Sequence, residues 1–358
     1  MNQLILIGPT SFLTIISTII IVFITISILV FIAAFRVRYR RERNQLKENE
    51  LVQKFQALFS DFLFSNEDEE LISMKKFESF TKNKFDKSIL LKTLFKIHED
   101  MTGDIADKLK MLYVELELVN DSIKKMKSSK WNVQITGIRE LSDMKIKNVT
   151  NEIALLTLHP NKILRREAQL ALVKIEGFKA LNFLNTLTYH LSEWQQLLLL
   201  ETIQHFNGNQ MPPLEILLRS ENDSVILFVL KIIRVFNLIS LKDNLLQLLN
   251  HRNEKIKIET IVVLGDLQIN DSLTILKRNY FKSTKAVKLK IIELFGKIAD
   301  TKNSPFLAEQ LKIYDYETNI QVLRSIKDIG GKQKLEEIKP NLTSKQQILL
   351  LHVLEESK

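Results

Sequence analysis

Residues 256–267 read IKIETIVVLGDL, and residues 287–298, which begin 31 positions later, read VKLKIIELFGKI. The positions to compare are the start of each segment and the residues four, eight and eleven positions later. Eight positions after the start lie Leu264 in the first segment and Phe295 in the second. Steps of four and three residues straddle the 3.6-residue turn of an α-helix, so these positions share one face. Each segment therefore predicts a helix with one buried stripe.

The same pattern occurs seven times. The segments start at Val133, Leu164, Gln195, Val225, Ile256, Val287 and Thr318, with spacings of 31, 31, 30, 31, 31 and 31 residues. The eighth residue after each start is always apolar: Leu141, Leu172, Ile203, Ile233, Leu264, Phe295 and Ile326. The eleventh is apolar as well: Met144, Ile175, Phe206, Phe236, Leu267, Ile298 and Ile329. In a chain that is 45% hydrophobic, so many matches have a chance probability on the order of 10⁻⁵ before the choice of register is discounted.

A second apolar stripe follows within the repeats, at Leu181, Leu214, Leu245, Leu276, Leu307 and Ile338. Turn and helix-start residues separate the stripes, among them His159-Pro160-Asn161 and His251-Arg252-Asn253. Pro212-Pro213 and Ser304-Pro305 are typical of a helix start, and Gly330-Gly331 of a helix end. Each repeat is thus predicted to be a helix pair, which must stack on its neighbours to bury its face. The fold class is all-α, with an α-solenoid over residues 128–358.

These repeats resemble the HEAT-repeat family, specifically short bacterial HEAT-like repeats whose first helix often reads V-R-x-x-A-A-x-A-L-G-x-I. The matches are Leu164-Arg165-Arg166-Glu167-Ala168 with Ala171-Leu172 and Ile175, then Val263-Leu264-Gly265-Asp266-Leu267, then Leu294-Phe295-Gly296-Lys297-Ile298. Gln195 and Thr318 depart from the usual aliphatic start. The resemblance implies an armadillo-type stack of helix pairs over about residues 128–358, and no particular partner.

The N-terminal part of the chain predicts a membrane anchor. Residues 12–35 carry no charge, Pro or Gly, and as a helix they would be roughly 36 Å long, enough to cross a bilayer. A cleaved signal peptide would need a basic n-region and a small-residue cleavage site, and neither is evident. Basic residues crowd the C-terminal flank: Arg36, Arg38, Arg40, Arg41 and Arg43. These arginines are expected to stop transfer and to anchor lipid headgroups.

The positive-inside rule places residues 1–11 outside and everything after Arg36 in the cytoplasm, so we expect a single-pass protein, in a bacterial inner membrane. Within the span, Thr14, Thr18 and Thr25 share a helical face that could pack against another membrane helix. The favoured alternative is that each hydroxyl bonds a backbone carbonyl one turn back. Residues 36–127 predict a helical connector, with helices near 51–63, 69–81, 87–99 and 104–127.

No catalytic constellation is found in the sequence. There is no Cys, and none of the six His residues has the spacing of a metal site such as HExxH. G-x-S-x-G, P-loop and G-x-G-x-x-G motifs are also missing. We therefore expect a protein that is not an enzyme and that uses neither a cofactor nor a metal nor a small-molecule substrate.

Two kinds of surface residue could bind a partner. Trp131 and Trp194 open first helices and could stack on a ligand, although burial against a neighbouring helix is favoured. The formal charge is +9, and basic residues on or near second helices could form a groove for an acidic partner: Lys242, Arg252, Lys277, Arg278, Lys282, Lys332 and Lys334. Ordinary surface lysine is the competing interpretation.

The leading hypothesis is a membrane-tethered, non-catalytic adaptor that binds a protein partner through its solenoid. One alternative is an accessory subunit that packs into a membrane enzyme or transporter through its transmembrane helix. Another is binding of nucleic acid or another polyanion by the basic groove, which would weaken steeply with salt.

Overall fold

The computed structural model describes residues 9–64, 67–206, 211–312 and 315–356, and within these ranges the chain is helical and has no β-strand. The prediction of an all-α protein is confirmed. The chain divides into two compact units, residues 1–129 and 130–358. They are called here the N-terminal unit and the repeat unit.

The N-terminal unit begins with one long helix, α1, Pro9–Leu63. Its 55 residues rise about 82 Å. The predicted apolar run and the amphipathic helix after it form a single helix, because neither Pro nor Gly interrupts residues 10–63. One stretch of α1 is long and apolar enough to cross a membrane. Residues 1–8 of the predicted external N-terminus lie outside the described residues.

Four shorter helices complete this unit: α2 (Glu67–Thr81), α3 (Lys84–Glu99), α4 (Asp104–Glu115) and α5 (Leu118–Met126). The second half of α1 packs on α2 and α3. The Phe59 and Phe77 rings lie 5.0 Å apart in a fully buried cluster. Ion pairs between Lys47 and Asp86, and between Lys92 and Glu48, also join α1 to α3.

The single helix expected over residues 104–127 is wrong. Glu117 has a left-handed backbone, with φ of 51°, and separates α4 from α5. The bend lets both Leu116 and Leu118 be buried, on opposite sides of the break. Burial of two leucines outweighs the modest strain of one left-handed residue.

The repeat unit alternates long and short helices. The long first helices are α6 (Trp131–Asp143), α8 (Lys162–Glu176), α9 (Glu193–Ile203), α11 (Asp223–Val235), α13 (Glu254–Asp266), α15 (Lys285–Ile298) and α17 (Tyr316–Ile338). The second α-helices are α7 (Thr150–Leu156), α10 (Leu214–Leu217), α12 (Lys242–Leu248), α14 (Ser272–Tyr280) and α16 (Ser304–Gln310), and α18 (Ser344–Glu355) follows α17. Residues 177–186 form a 3₁₀-helix where a second α-helix was expected. Each first helix packs against the first helix of the next repeat.

The first helices begin at regular intervals. Their N-cap residues are Lys130, Asn161, Ser192, Asn222, Asn253, Thr284 and Asp315. In five of them the side chain accepts a backbone N–H of the first turn, which satisfies a donor that the helix leaves unpaired. These positions follow the sequence repeat, with spacings of 31, 31, 30, 31, 31 and 31 residues.

Helix ends repeat in the same way. Lys145, Asn237 and Gln268 have positive φ just after α6, α11 and α13. The next amide donates to the carbonyl five residues back, as in Ile269 N–H to Leu264 O at 3.0 Å. This is the hydrogen bond of a Schellman motif. Gly331, with φ of 66°, kinks α17 where the helix end was predicted.

The predicted buried stripe of the first helices lies in the core. All seven residues at the eighth position are buried. At the eleventh position, five are buried and the two phenylalanines, Phe206 and Phe236, are only partly covered. In the second stripe Ile338 is half-buried and Leu335, one turn earlier, is fully buried instead. The kink at Gly331 rotates the last segment, so the regular spacing fails there.

The glycine of the HEAT-like pattern has a steric role at one repeat boundary. A Cβ on Gly296 would lie 2.8 Å from Ser325 Cα. Backbone cannot yield as a flexible side chain can, so α15 and α17 approach each other closely only because Gly296 has no side chain. The Ser325 hydroxyl donates to Ile292 O at 2.8 Å across the same contact.

Candidate binding surface

Five exposed apolar side chains lie in the first three repeats, near the end of α7, in the turn after it and in the N-terminal parts of α8 and α9. This apolar edge consists of Leu155, Leu158, Ile163, Trp194 and Leu197. Leu155 is the residue before the last in α7, the second helix of the first repeat, and Leu158 lies in the turn that leads to Ile163. Ile163 and Trp194 each hold the second position of their helix, so they occupy equivalent places on neighbouring helices. Single exposed apolar residues are ordinary, but such a group marks a candidate binding surface.

The expectation that Trp131 and Trp194 are buried is wrong. Trp131 is 47% exposed and Trp194 is 63% exposed. Both rings lie at helix starts, Trp131 at the first position of α6 and Trp194 at the second position of α9. The residue after Trp194, Gln195, is buried instead. Gln195 stands where these repeats usually have an aliphatic residue.

Hydrogen bonds hold the turn beneath Leu158 and Ile163. The Arg165 guanidinium donates to His159 O at 2.8 Å and lies 4.0 Å from the centre of the Tyr189 ring. His159 Nδ1 accepts the Asn161 backbone N–H at 3.1 Å. Deeper in the same turn, the Gln169 amide donates to Thr157 O at 3.1 Å. The apolar edge therefore rests on fixed backbone rather than on a free loop.

A buried amide network fixes the segment before Trp194. Gln195 donates to Gln169 Oε1, and Gln169 also donates to the Tyr189 hydroxyl. Asn222 donates to Leu187 O and Tyr189 O at 3.0 and 2.8 Å. The Ser224 hydroxyl accepts the Leu191 N–H at 2.8 Å. A preorganised surface of this kind loses little conformational freedom on binding.

Charges border the apolar edge. The Lys255 ammonium lies 2.7 Å from the Glu193 carboxylate, beside Trp194. This hydrogen bond lowers the pKa of Glu193 and raises the pKa of Lys255. Lys130 and Lys162 are exposed at the starts of α6 and α8. The rim is therefore polar around an apolar centre, as in protein interfaces.

The seven basic residues predicted to line a groove have different surroundings. Lys242 pairs with Asp271 at 2.5 Å, which raises the pKa of Lys242, and Lys334 pairs with Glu337. The Lys277 ammonium lies 5.6 Å from the centre of the Phe295 ring. The remaining four are exposed and form no ion pair with any described residue: Arg252, Arg278, Lys282 and Lys332. A polyanion groove stays a prediction.

The residues predicted at the membrane all lie on α1. Thr25 Oγ1 donates to Ile21 O at 2.8 Å, the backbone bond favoured by the sequence. Thr18 is exposed, and the side chain of Thr14 lies outside the described residues. In the arginine flank, Arg38 pairs with Glu42 at 3.1 Å. The other four form no ion pair within the described chain: Arg36, Arg40, Arg41 and Arg43.

Among the described residues no group of three or more His, Asp or Glu side chains could hold a metal ion. Grooves occur along the repeat unit, for example one of about 440 Å³ between α15 and α17 that includes Lys290, Arg324 and His352. Its lining contains no Ser, Thr or Cys side chain.

No family model matches this sequence, and no curated protein matches it. Solved structures do match. YibA of Escherichia coli is 17% identical with a TM-score of 0.40, and the match covers 76% of this chain and 96% of YibA. An engineered protein is 16% identical with a TM-score of 0.34, covering 84% and 98%. Human deoxyhypusine hydroxylase, solved with glycerol, is 12% identical with a TM-score of 0.28, covering 80% and 99%. The chain is similar to these helical proteins only at this distant level.

Proposed function

We propose that this chain is a membrane-tethered, non-catalytic scaffold. In this proposal α1 crosses the membrane once and the repeat unit, an α-solenoid of HEAT-like helix pairs, binds a protein partner on the cytoplasmic side. The apolar edge carries the proposal, because Trp194, Ile163 and Leu197 are all exposed near the starts of two successive first helices that pack on each other. Aromatic anchors surrounded by polar residues are the groups that most often dominate protein binding energy.

The partner is proposed to be a protein that presents apolar side chains to this edge. Small molecules are bound in concave pockets, and the edge consists of projecting side chains at helix starts. Nucleic acid would require a continuous set of free cations. Lys255, which reaches Glu193 beside Trp194, is already paired with that carboxylate.

The membrane anchor would raise the local concentration of the repeat unit near membrane partners without any new contact. The orientation rests on the arginine flank from Arg36 to Arg43, which the positive-inside rule assigns to the cytoplasm.

The test is site-specific photocrosslinking of the full chain in its native membranes. A photoreactive phenylalanine analogue would replace Trp194 or, as a control, Ile348, which is equally exposed but lies on α18. We expect one protein to be crosslinked from position 194 and not from position 348. The same crosslink should weaken at least tenfold when Leu197 is changed to Ser.

Three outcomes would contradict the proposal. Equal crosslinking from 194 and 348 would mean that the edge has no specificity. Loss of all partners when residues 1–35 are replaced by an unrelated membrane span, with the repeat unit intact, would favour the accessory-subunit hypothesis. Recovery of nucleic acid, released by salt, would favour the polyanion hypothesis.

A further inference from the structure

Helix α18 occupies the place of one more first helix after α17. Its N-cap residue, Thr343, forms a capping box with Gln346. The third and seventh residues after this N-cap, Gln346 and Leu350, are buried, as are the residues at the same places of α15. Arg324 of α17 donates to the Glu356 carboxylate at 2.9 Å and so joins α17 to the end of α18. The helix therefore stacks on α17 as a first helix stacks on the one before it.

Contacts between α15 and α17 show which face of a first helix points to the next repeat. Lys285, the first residue after the N-cap of α15, lies 3.0 Å from Asp315 at the start of α17. The eighth residue, Ile292, accepts the Ser325 hydroxyl through its carbonyl oxygen at 2.8 Å. The twelfth, Gly296, has no room for a Cβ beside the Ser325 backbone. Steps of four and three residues keep to one side of a helix, so the fifth place belongs to this side as well. These four places are called here the stacking face.

On α18 the stacking face is uncovered. Its fifth and eighth residues are Ile348, which is 66% exposed, and Leu351, which is 54% exposed. The fifth place of the seven other first helices is buried or half-buried except in α9, where Leu197 belongs to the apolar edge. Their eighth place is half-buried in α9 and buried in the rest: Ile138, Gln169, Leu200, Leu230, Ile261, Ile292 and Leu323. The described chain thus leaves exposed on α18 an apolar face that it covers on its other first helices.

The charges beside this face are self-complementary in an antiparallel arrangement. Lys345 lies three residues before Ile348, and Glu355 lies four residues after Leu351. When two copies of α18 pack antiparallel with Ile348 of each opposite Leu351 of the other, each Lys345 lies within one residue of a position opposite Glu355. Both charged side chains are exposed, and neither forms an ion pair with a described residue. A parallel pair would place like charges opposite each other, which is repulsive.

We propose that two copies of this chain associate through α18, packed antiparallel about a twofold axis between Ile348 and Leu351. A second copy supplies both the apolar side chains and the opposite charges that the face lacks, and a symmetric pair makes every contact twice. The face is smaller than the roughly 800 Å² per partner of a stable interface. We therefore expect a weak dimer that forms at high protein concentration. This inference is independent of the partner proposed for the apolar edge.

The test is thiol crosslinking of the full chain, which has no Cys of its own. Two differently tagged copies, one with Lys345→Cys and one with Glu355→Cys, are mixed at high concentration in detergent and treated with a short bismaleimide. We expect a crosslink between the two copies. Copies that both carry Lys345→Cys should give at least fivefold less product, because antiparallel packing separates these positions by about 14 Å along the helix axis. Lys282→Cys, exposed and outside α18, measures random collisions.

Charge reversal tests the same arrangement in a second way. Leu351→Cys provides the crosslinking position in every copy. Lys345→Glu then replaces two attractive pairs with two repulsive ones and should lower the yield at least fivefold. Adding Glu355→Lys to the same copy restores opposite charges and should return the yield to within twofold of that of the chain without charge changes. A loss caused by unfolding would not be rescued by a second substitution at an exposed position.

Four results would overturn the proposal. Product at the level of Lys282→Cys would mean that no second copy binds α18. Equal crosslinking of Lys345→Cys with itself and with Glu355→Cys would contradict antiparallel packing, and so would failure of the doubly reversed variant to recover. Capture of a different protein by a photoreactive residue at position 348 in membranes would assign the face to that protein. A second copy captured there is this chain itself, which distinguishes it from the partner expected at position 194.

Discussion

The Lys174 ammonium lies 2.8 Å from the Asp143 carboxylate, and the two residues are 31 positions apart. They occupy equivalent places at the ends of α6 and α8. The same relationship recurs between Lys297 and Asp266, at the ends of α15 and α13. Asp266 also pairs with Arg234 of α11, so one carboxylate connects three successive repeats. The stacked helices are therefore joined by charges as well as by their apolar stripe.

Replacing Asp266 with Asn should weaken the joint between these three repeats. Arg234 and Lys297 are about half exposed, and solvent screens such pairs, so the loss in unfolding free energy should be about 1 kcal/mol or less. Denaturant unfolding at low and at high salt measures this loss. The difference in unfolding free energy between the Asp266→Asn variant and the unchanged protein should shrink as the salt concentration rises. Glu293→Gln, which breaks an exposed pair within α15, is the control and should have a smaller effect.

Substitutions at the N-cap positions of the first two repeats should change the stability of the protein in opposite directions. Asn161 accepts the amides of Ile163 and Leu164, so Asn161→Ala should cost about 1 kcal/mol. Lys130 holds the equivalent position of α6 and makes no side-chain cap, because an ammonium cannot accept a hydrogen bond. Lys130→Asn should therefore raise the melting temperature. A lower melting temperature for Lys130→Asn would contradict this account.

The buried amides Gln169 and Gln195 should behave as one unit. Gln169→Leu leaves the Thr157 carbonyl and the Gln195 amide without their partner and should cost about 1–3 kcal/mol. Changing both glutamines to Leu should cost less than the sum of the two single changes, as urea unfolding would measure. Gln247→Leu, at an exposed position, is the control. Additive losses would show that the two amides are not coupled.

The first turn of α17 should become less stable at acidic pH. The Thr318 hydroxyl, followed by Lys285, stabilises the Asp315 carboxylate and lowers its pKa. A carboxylate whose pKa is lowered by folding stabilises the folded state fully above its ordinary pKa, about 4. This stabilisation is lost as the pH falls through the lowered pKa. Hydrogen exchange of the first α17 amides should thus lose protection only below about pH 4. Asp315→Asn keeps a cap but should remove this pH dependence.

Much of the architecture is determined by local sequence. The 31-residue spacing predicted the first helices because a buried helical stripe requires apolar residues at fixed steps, and Leu141 and Ile326 at the two ends of the repeat both lie in the core. The turn residues Asn161 and Asn253 predicted helix starts because their side chains satisfy free amides of the first turn. The absence of Pro and Gly from residues 10–63 explains why the helix carrying residues 12–35 continues beyond them. These effects act within one or two helical turns.

Tertiary packing decided the rest. Whether Trp194 is buried depends on what lies beside it, and a neighbouring helix that could cover it is not encoded within its own repeat. The break at Glu117 lets both Leu116 and Leu118 be buried, which depends on the helices packed around them. Lys92 pairs with Glu48 only because α3 folds back on α1. Periodicity specifies which face of a helix is apolar, whereas contacts between distant residues specify which apolar and charged groups remain free to bind.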